Sequence, residues 1–369
     1  MRFDLDLKHF WRENAQSSGK PFRTDKPRAP IALSVDDHWL LDEMKAPSTV
    51  RYFRDAAWRA DLHRACNDRC EEALGIRPFG EAVEGPRPLR IERILGCRVE
   101  LTEGGTPWLE PAIESVQQLG AHLDRIERMN DAEFASLICS DGWRPQPQPL
   151  VDGRKKVVGA SSRGPATVAT SVIGTTPLLY ALVDEPAVME RFYETLAHTL
   201  IRHHRFIEKA TNVEYRGYSW LDDNCALFSP PLYERFCMPL MRRVFGQFAP
   251  RPEDWRFQHS DSAMEHLLGL LAELNFHAVN FGPTIPAGHI RRHMPRTEIR
   301  GQIAPNTLRN GTPDDVVAEV RRDFAAVGAD GGLLLTTSGS ISAGTTLDSI
   351  RGFMWAAQEH ARYDGKRER

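Results

Sequence analysis

From Lys156 onward the chain alternates short apolar runs with longer amphipathic ones. "KVVGASS" (156–162) reads as a buried-type strand and is followed by a helical segment from about Pro177 to Ala210. "EYRGYSWLDD" (214–223) is the next strand, and "SPPLYERFCMPLMRRVFGQF" opens with Ser-Pro, a helix-start signal. "WRFQHSD" then leads into a helix over 262–274, and "FHAVNFG" into one near 286–293. "EIRGQIAP" precedes the helix "TPDDVVAEVRRDFAAVG", and "GGLLLTTSG" precedes a terminal helix from about Thr346. No hairpin signal separates these six strand–helix units, so parallel strands with crossover helices are expected.

Upstream the pattern is less regular. The first thirty residues are polar and contain proline, which predicts a loosely packed extension over 1–28 ahead of one domain from 29 to 369. "RYFRDAAWRADLHRACNDRCEEALG" (51–75) has helical periodicity and stops at a glycine. "GCRVELTEGGTPW" reads as short strands and turns, and 141–155 is a polar, Pro-rich loop, so 76–155 holds an irregular insertion. Adding "APIALSVDD" (29–37) and one strand in 76–111 brings the count to about eight, that of a (β/α)8 TIM barrel. No G-x-G-x-x-G follows a strand, which removes the dinucleotide form of the competing open sheet.

Composition narrows the function classes only a little. The 369 residues are 41% hydrophobic and 26% charged, with a formal net charge of -3, so no global field favours nucleic acid or an acidic membrane. No apolar run approaches the roughly 20 residues that span a bilayer, and the charged start lacks a signal-peptide core, so the cytoplasm is expected. Six scattered cysteines do not form a disulfide framework; Cys66 and Cys70, four apart on a helix, read as buried thiols. His203 and His204 read as surface or packing residues, and the terminal "DGKRER" as a solvated tail.

Barrel chemistry collects at the carboxyl ends of the strands. Those ends offer His38, Arg163, Asp222 and Asp223, His259 and Asp261, Asn280, Gln302 and Ser338. Some of this polarity is expected from helix capping. His259 and Asp261 are the sharpest pair, because residues i and i+2 of a strand face one side and can address one ligand. They suit acid/base work or metal ligation; the competing assignment has Asp261 capping the next helix and His259 bonded in the core. Alternation lets one of Asp222 and Asp223 enter the mouth, and Asp223 is expected to do so.

Four stretches carry a family resemblance: "RGPATVATSVIGTTPLLYALVDEPAVMERF" (163–192), "LDDNCALFSPPLYERFCMP" (221–239), "FQHSDSAMEHLLGLLAELNFHAVNFGP" (257–283) and "IRGQIAPNTLRNGTPDDVVAEV" (299–320). From about Ala29 to Tyr363 the chain resembles the uroporphyrinogen decarboxylase superfamily, whose members include cobalamin- and coenzyme M-linked methyltransferases. The resemblance implies a (β/α)8 fold. True decarboxylases of the family carry an arginine-rich "MRQAGR" stretch and a late "GHG"; here the corresponding regions read "IALSVDDHWLLDE" and "TTSGSISAGTT". Acidic groups repel a polycarboxylate, so porphyrinogen decarboxylation is not expected.

The methyltransferase branch holds zinc through a His-x-Cys pair and a later cysteine. His259 matches the histidine, Asp261 stands at the first cysteine and Ser338 at the second, which leaves a harder N/O site with Glu103 or another carboxylate as third ligand. The expected function is methyl transfer or demethylation of a small organic molecule, with the site acting either as a zinc centre or as an acid/base site without metal. The acceptor would be a separate corrinoid protein or tetrahydrofolate, since no Asp-x-His-x-x-Gly cobalamin motif occurs here. The alternatives are a metal-independent decarboxylase or lyase with Arg163 on a substrate carboxylate, and a non-catalytic small-molecule-binding barrel. The expected partners are the small-molecule substrate, that corrinoid protein and a second copy of the chain as a homodimer.

Overall fold

The structure is a computed structural model that describes residues 3–363; "DGKRER" lies outside the described residues, as do Met1 and Arg2. It falls into two compact units. The central unit comprises Gly85–Leu101 and Pro107–Phe276; the terminal unit comprises the chain up to Glu84, Thr102–Thr106 and everything from His277 onward. The Pro-rich loop is not a boundary: Gln148 donates its N–H to Thr211 O at 2.8 Å, and Asn212 donates to Gln148 O at 2.9 Å.

In the central unit, β1 (Arg98–Glu100) and β2 (Trp108–Glu110) pair antiparallel, so 76–111 supplies a small ribbon rather than another parallel strand. Then β3 (Lys156–Arg163), β4 (Val213–Leu221) and β5 (Arg256–Ser260) run parallel as neighbours. The helix expected from Pro177 to Ala210 is two, Thr175–Asp184 and Pro186–Thr211, after a first helix Pro165–Ile173. Pro186 disfavours helical geometry in the residue before it, and Glu185 sits at φ −128°, ψ 50°. After β5 the expected helix 262–274 shrinks to a 3-10 turn Glu265–Leu267 and a short helix Leu268–Ala272.

In the terminal unit, β6 (Ala278–Phe281), β7 (Glu298–Ile303) and β8 (Leu333–Thr337) are parallel. The stretch 29–37 contributes bridges rather than a full strand, Ile31 to Leu335 and Val35 to Ile341. Residues 3–28 are not a loose arm. The helix Leu7–Ser17 buries Phe10 completely, and the fully buried Arg28 guanidinium stacks 4.2 Å from that ring. Asn14 bonds both the N–H and the C=O of Ile31. Polar residues here satisfy buried backbone, a role that composition does not distinguish from exposure.

Helix limits elsewhere follow capping chemistry. Asp55 ends the helix Thr49–Arg54 and caps Ala56–Leu74, which closes on Gly75 in the left-handed region at φ 74°. Thr346 caps the last helix, Leu347–His360, at the predicted start. Alternating strands and helices with parallel pairing put the chain in the α/β, (β/α)8 class that the pattern predicts. Among the described residues no single helix is long and apolar enough to cross a membrane.

Candidate functional site

The sheet β3–β4–β5 has two unlike faces. Tyr218 and Trp220 of β4, with Gln258 and Ser260 of β5, are fully buried. Tyr218 stacks on Phe248 and Trp220 meets Phe245 edge-on, both from the helix Met238–Phe248. The alternate residues face the other way. Register places Arg163, Leu221 and His259 in one row, and Ser161, Ser219 and Phe257 in the row before it. On this side Leu221 remains 37% exposed in the folded chain.

At the end of that open face three side chains converge. His259 Nε2 lies 3.3 Å from Asp261 Oδ1 and 3.6 Å from Asp223 Oδ1. The backbone N–H of Asp261 donates to Asp223 Oδ1 at 3.0 Å, which fixes the turn after β5 against the end of β4. One ligand atom from each residue fits within a 4.8 Å span, the geometry of a small cation's donor set. Asp261 does not cap a helix, because the next helical turn begins only at Glu265.

Asp222, one residue earlier, behaves in the opposite way. It was expected to bind substrate, yet it is fully buried, accepting from Thr167 N–H at 2.8 Å and Thr167 Oγ1 at 2.9 Å. Tyr233 Oη donates to its other oxygen at 3.2 Å. Burial pushes its carboxyl up to about 6 although these hydrogen bonds pull it down. A Cβ at Gly164 would lie 2.2 Å from the Asp222 side chain, so only glycine leaves room there. Just past the end of β4 the two carboxylates part: the Asp223 side chain is 49% exposed and Asp222 lies in the packing.

Arg163 is committed elsewhere, its Nε 3.6 Å from buried Glu92 and its Nη1 3.5 Å from Ser171 Oγ. In the terminal unit, Asn280, Gln302 and Ser338 are buried and clamp the strand ends of that unit. Asn280 donates to the carbonyls of Arg300 and Thr337 and accepts from Gly339 N–H. Gln302 donates to Gly282 O and Ile285 O, and Ser338 donates to Gln302 Oε1 at 3.3 Å. These amides satisfy backbone groups freed where strands end. Glu103 is not in the cluster; it accepts from Ser48 Oγ at 2.7 Å and Thr49 N–H at 2.8 Å, capping a helix of the terminal unit. His38 sits in the first turn of the helix Asp37–Glu43, its N–H donating to the cap Asp36.

Cys66, Cys70, Cys225, His203 and His204 are internal. Cys66 and Cys70 are fully buried. Cys225, near Ser260 and Ser262, is pushed up to about 12, chiefly by burial, which makes it an inert thiol. His203 and His204 are buried and neutral, lowered to about 4 and about 3 by desolvation. His204 Nε2 bonds Tyr218 Oη at 3.0 Å, and that hydroxyl donates to Ser162 at 2.8 Å. The open apolar face beneath His259 escaped the sequence reading. Its signal was Trp255, Phe257 and His259 at period two.

Comparison with known proteins bears on the fold and on the family. Among solved structures, the chain is similar to a methyltransferase from Methanosarcina mazei at 17% identity and a TM-score of 0.57, covering 96% of this chain and 99% of that one. A B12-independent methionine synthase from Shewanella sp. W3-18-1, in complex with selenomethionine, aligns at 13% identity and a TM-score of 0.42 over 84% of this chain and 88% of that one. No curated protein sequence matches. The sequence model of Uroporphyrinogen decarboxylase (URO-D) matches residues 89–360, most of the chain and all of the cluster. The chain belongs to the URO-D family.

Proposed function

We propose that this chain is an enzyme of methyl transfer or demethylation on a small organic substrate, with zinc held by Asp223, His259 and Asp261. The observation that carries the reading is the convergence of one imidazole and two carboxylates within 4.8 Å. The donor set fits: one nitrogen and two oxygens are acceptable zinc ligands, and three protein ligands leave a position open for substrate. The methyltransferase of similar fold supports the reaction class. Zinc, when bound, polarises the heteroatom that carries the methyl group and makes it a better leaving group.

The protein's own residues divide the remaining work. Asp223 Oδ1, held by the Asp261 N–H, fixes the two carboxylates relative to each other. The strand β5 aims His259 from a packed backbone, so the imidazole is positioned before substrate arrives. The methyl acceptor is assigned to a separate corrinoid protein or to tetrahydrofolate. Metal-free decarboxylation is the weaker reading, because Arg163, its carboxylate-gripping group, is already engaged by Glu92 and Ser171. A non-catalytic binder leaves the convergence of His259 with two carboxylates without a use.

Metal analysis of the purified protein tests the reading. Wild type should retain or take up stoichiometric zinc, and His259→Ala should lose both the zinc and methyl transfer while its thermal unfolding stays close to wild type. An active protein that carries no metal would end the zinc assignment and leave acid/base chemistry at His259.

A further inference from the structure

The open face of β3–β4–β5 continues below the Asp223–His259–Asp261 cluster, and its composition is informative. Trp255 and Phe257 precede His259 at steps of two, so all three side chains leave the same side of the chain. The Trp255 and Phe257 rings are stacked, with centroids 6.4 Å apart and planes 11° from parallel. Gly217 makes this possible: a Cβ there would lie 2.9 Å from both the Cβ and the carbonyl oxygen of Trp255. Trp255, Phe257 and Leu221 form an apolar ladder on this face, flanked by Ser161, Ser219 and Arg163 in the same rows and ending at His259. In the folded chain Trp255 is 36% and Leu221 37% exposed, so the ladder is not consumed by core packing.

We infer that this ladder is the seat of the substrate, and that the substrate is a neutral aromatic ring bearing a methylated heteroatom. The inference rests on the methyl-transfer reading and names the substrate class for it. A flat ring matches the offset stacking that Phe257 and Trp255 already display. Two strand steps span about 13 Å, enough for a ring laid on Phe257 to present its heteroatom at His259. The charge argument excludes an anionic ring. At the polar end of the ladder stand the two carboxylates of the Asp223–His259–Asp261 cluster, and in the His259 row stands Arg163, whose Nε lies 3.6 Å from Glu92. A ring carboxylate would meet the like charges of Asp223 and Asp261 and lose its own hydration, whereas a neutral ring avoids both costs.

Calorimetric titration of the zinc-loaded full chain with 4-methoxyphenol, 2-methoxyethanol and 4-methoxybenzoate tests this. The aryl ether should bind about tenfold or more tighter than the aliphatic one, and tighter than the benzoate. Phe257→Ala should weaken 4-methoxyphenol by a similar factor while zinc content stays unchanged. His259→Ala should lose zinc yet keep most of the 4-methoxyphenol affinity, which separates failure of the seat from failure of the metal reading. Equal affinity for the aryl and aliphatic ethers, tighter binding of the benzoate, or a Phe257→Ala variant that binds like wild type would each overturn the assignment.

Discussion

The two faces of β3–β4–β5 are built from alternate residues of the same strands, yet they differ in nearly every physical respect. On the helix-packed face Tyr218, Trp220, Gln258 and Ser260 have no exposed surface. On the open face Leu221 is 37% exposed, and the His259 side chain keeps 20% of its surface. The packed face even tolerates polar atoms without partners, namely Trp220 Nε1 and both amide atoms of Gln258, which lie side by side in register. The division of labour follows. One face stabilises the unit through aromatic packing, and the other keeps solvent-facing surface, where a ligand can replace water.

That division is broken most forcefully by emptying the packed face. Trp220→Ala removes a fully buried indole and should cost about 3–5 kcal/mol in urea unfolding. Phe257→Ala, one step away on the open face, should cost about 1 kcal/mol or less, because a part-exposed ring leaves no sealed cavity. Equal losses from the two would mean that the open face is structural as well.

Acid should act on the packed side next. His203 and His204 lie on the helix Pro186–Thr211, and His204 bonds the Tyr218 hydroxyl from it. Their folded pKa values, about 4 and about 3, lie below the ordinary 6.5, so the unfolded chain takes up protons first. Their contribution is complete above pH 6.5 and is lost as the pH falls toward 4, by about 3 kcal/mol for His203 alone. Asp222 opposes this in part, since its folded pKa is raised to about 6 and protonation between there and 3.8 favours the folded chain. Net stability should fall from pH 7 to pH 4, and His203→Gln should flatten the slope. An unchanged slope in that variant would remove His203 as the cause.

How much of this could be read from residues alone depends on whether a local rule was at work. Strand–helix alternation, the Thr346 cap and the shared side of His259 and Asp261 follow from periodicity and cap chemistry, and the structure has them. Asn280, Gln302 and Ser338 were candidates for substrate because polar residues at strand ends look the same whether they face a ligand or a freed carbonyl. Which of these they face is a tertiary fact. The N-terminal stretch misled for a similar reason: Arg28 and Asn14 count as polar in any composition, but here they are buried partners of main-chain groups. The break before Pro186 was missed in a segment read as one helix, although proline restrains the residue ahead of it.

The finest version of the comparison lies in two adjacent carboxylates. Removing Asp222 would strand the Thr167 N–H and two buried hydroxyls, at roughly 1–3 kcal/mol for each donor left without an acceptor. Asp223 has a side chain 49% exposed, and its bond to the Asp261 N–H lies at the surface, where water can take over. Asp223→Ala should therefore shift unfolding by no more than about 0.5 kcal/mol. Its effect should appear in function instead, as lost zinc affinity, because one of the three proposed ligands is gone and the Asp261 turn is no longer tied. Urea unfolding and zinc titration of the two alanine variants side by side test the contrast. If Asp223→Ala unfolds as readily as Asp222→Ala, Asp223 belongs to the packing and the metal centre loses its third ligand. If it keeps wild-type stability and wild-type zinc affinity, the cluster holds its cation without it, and the ligand set must be redrawn around His259 and Asp261.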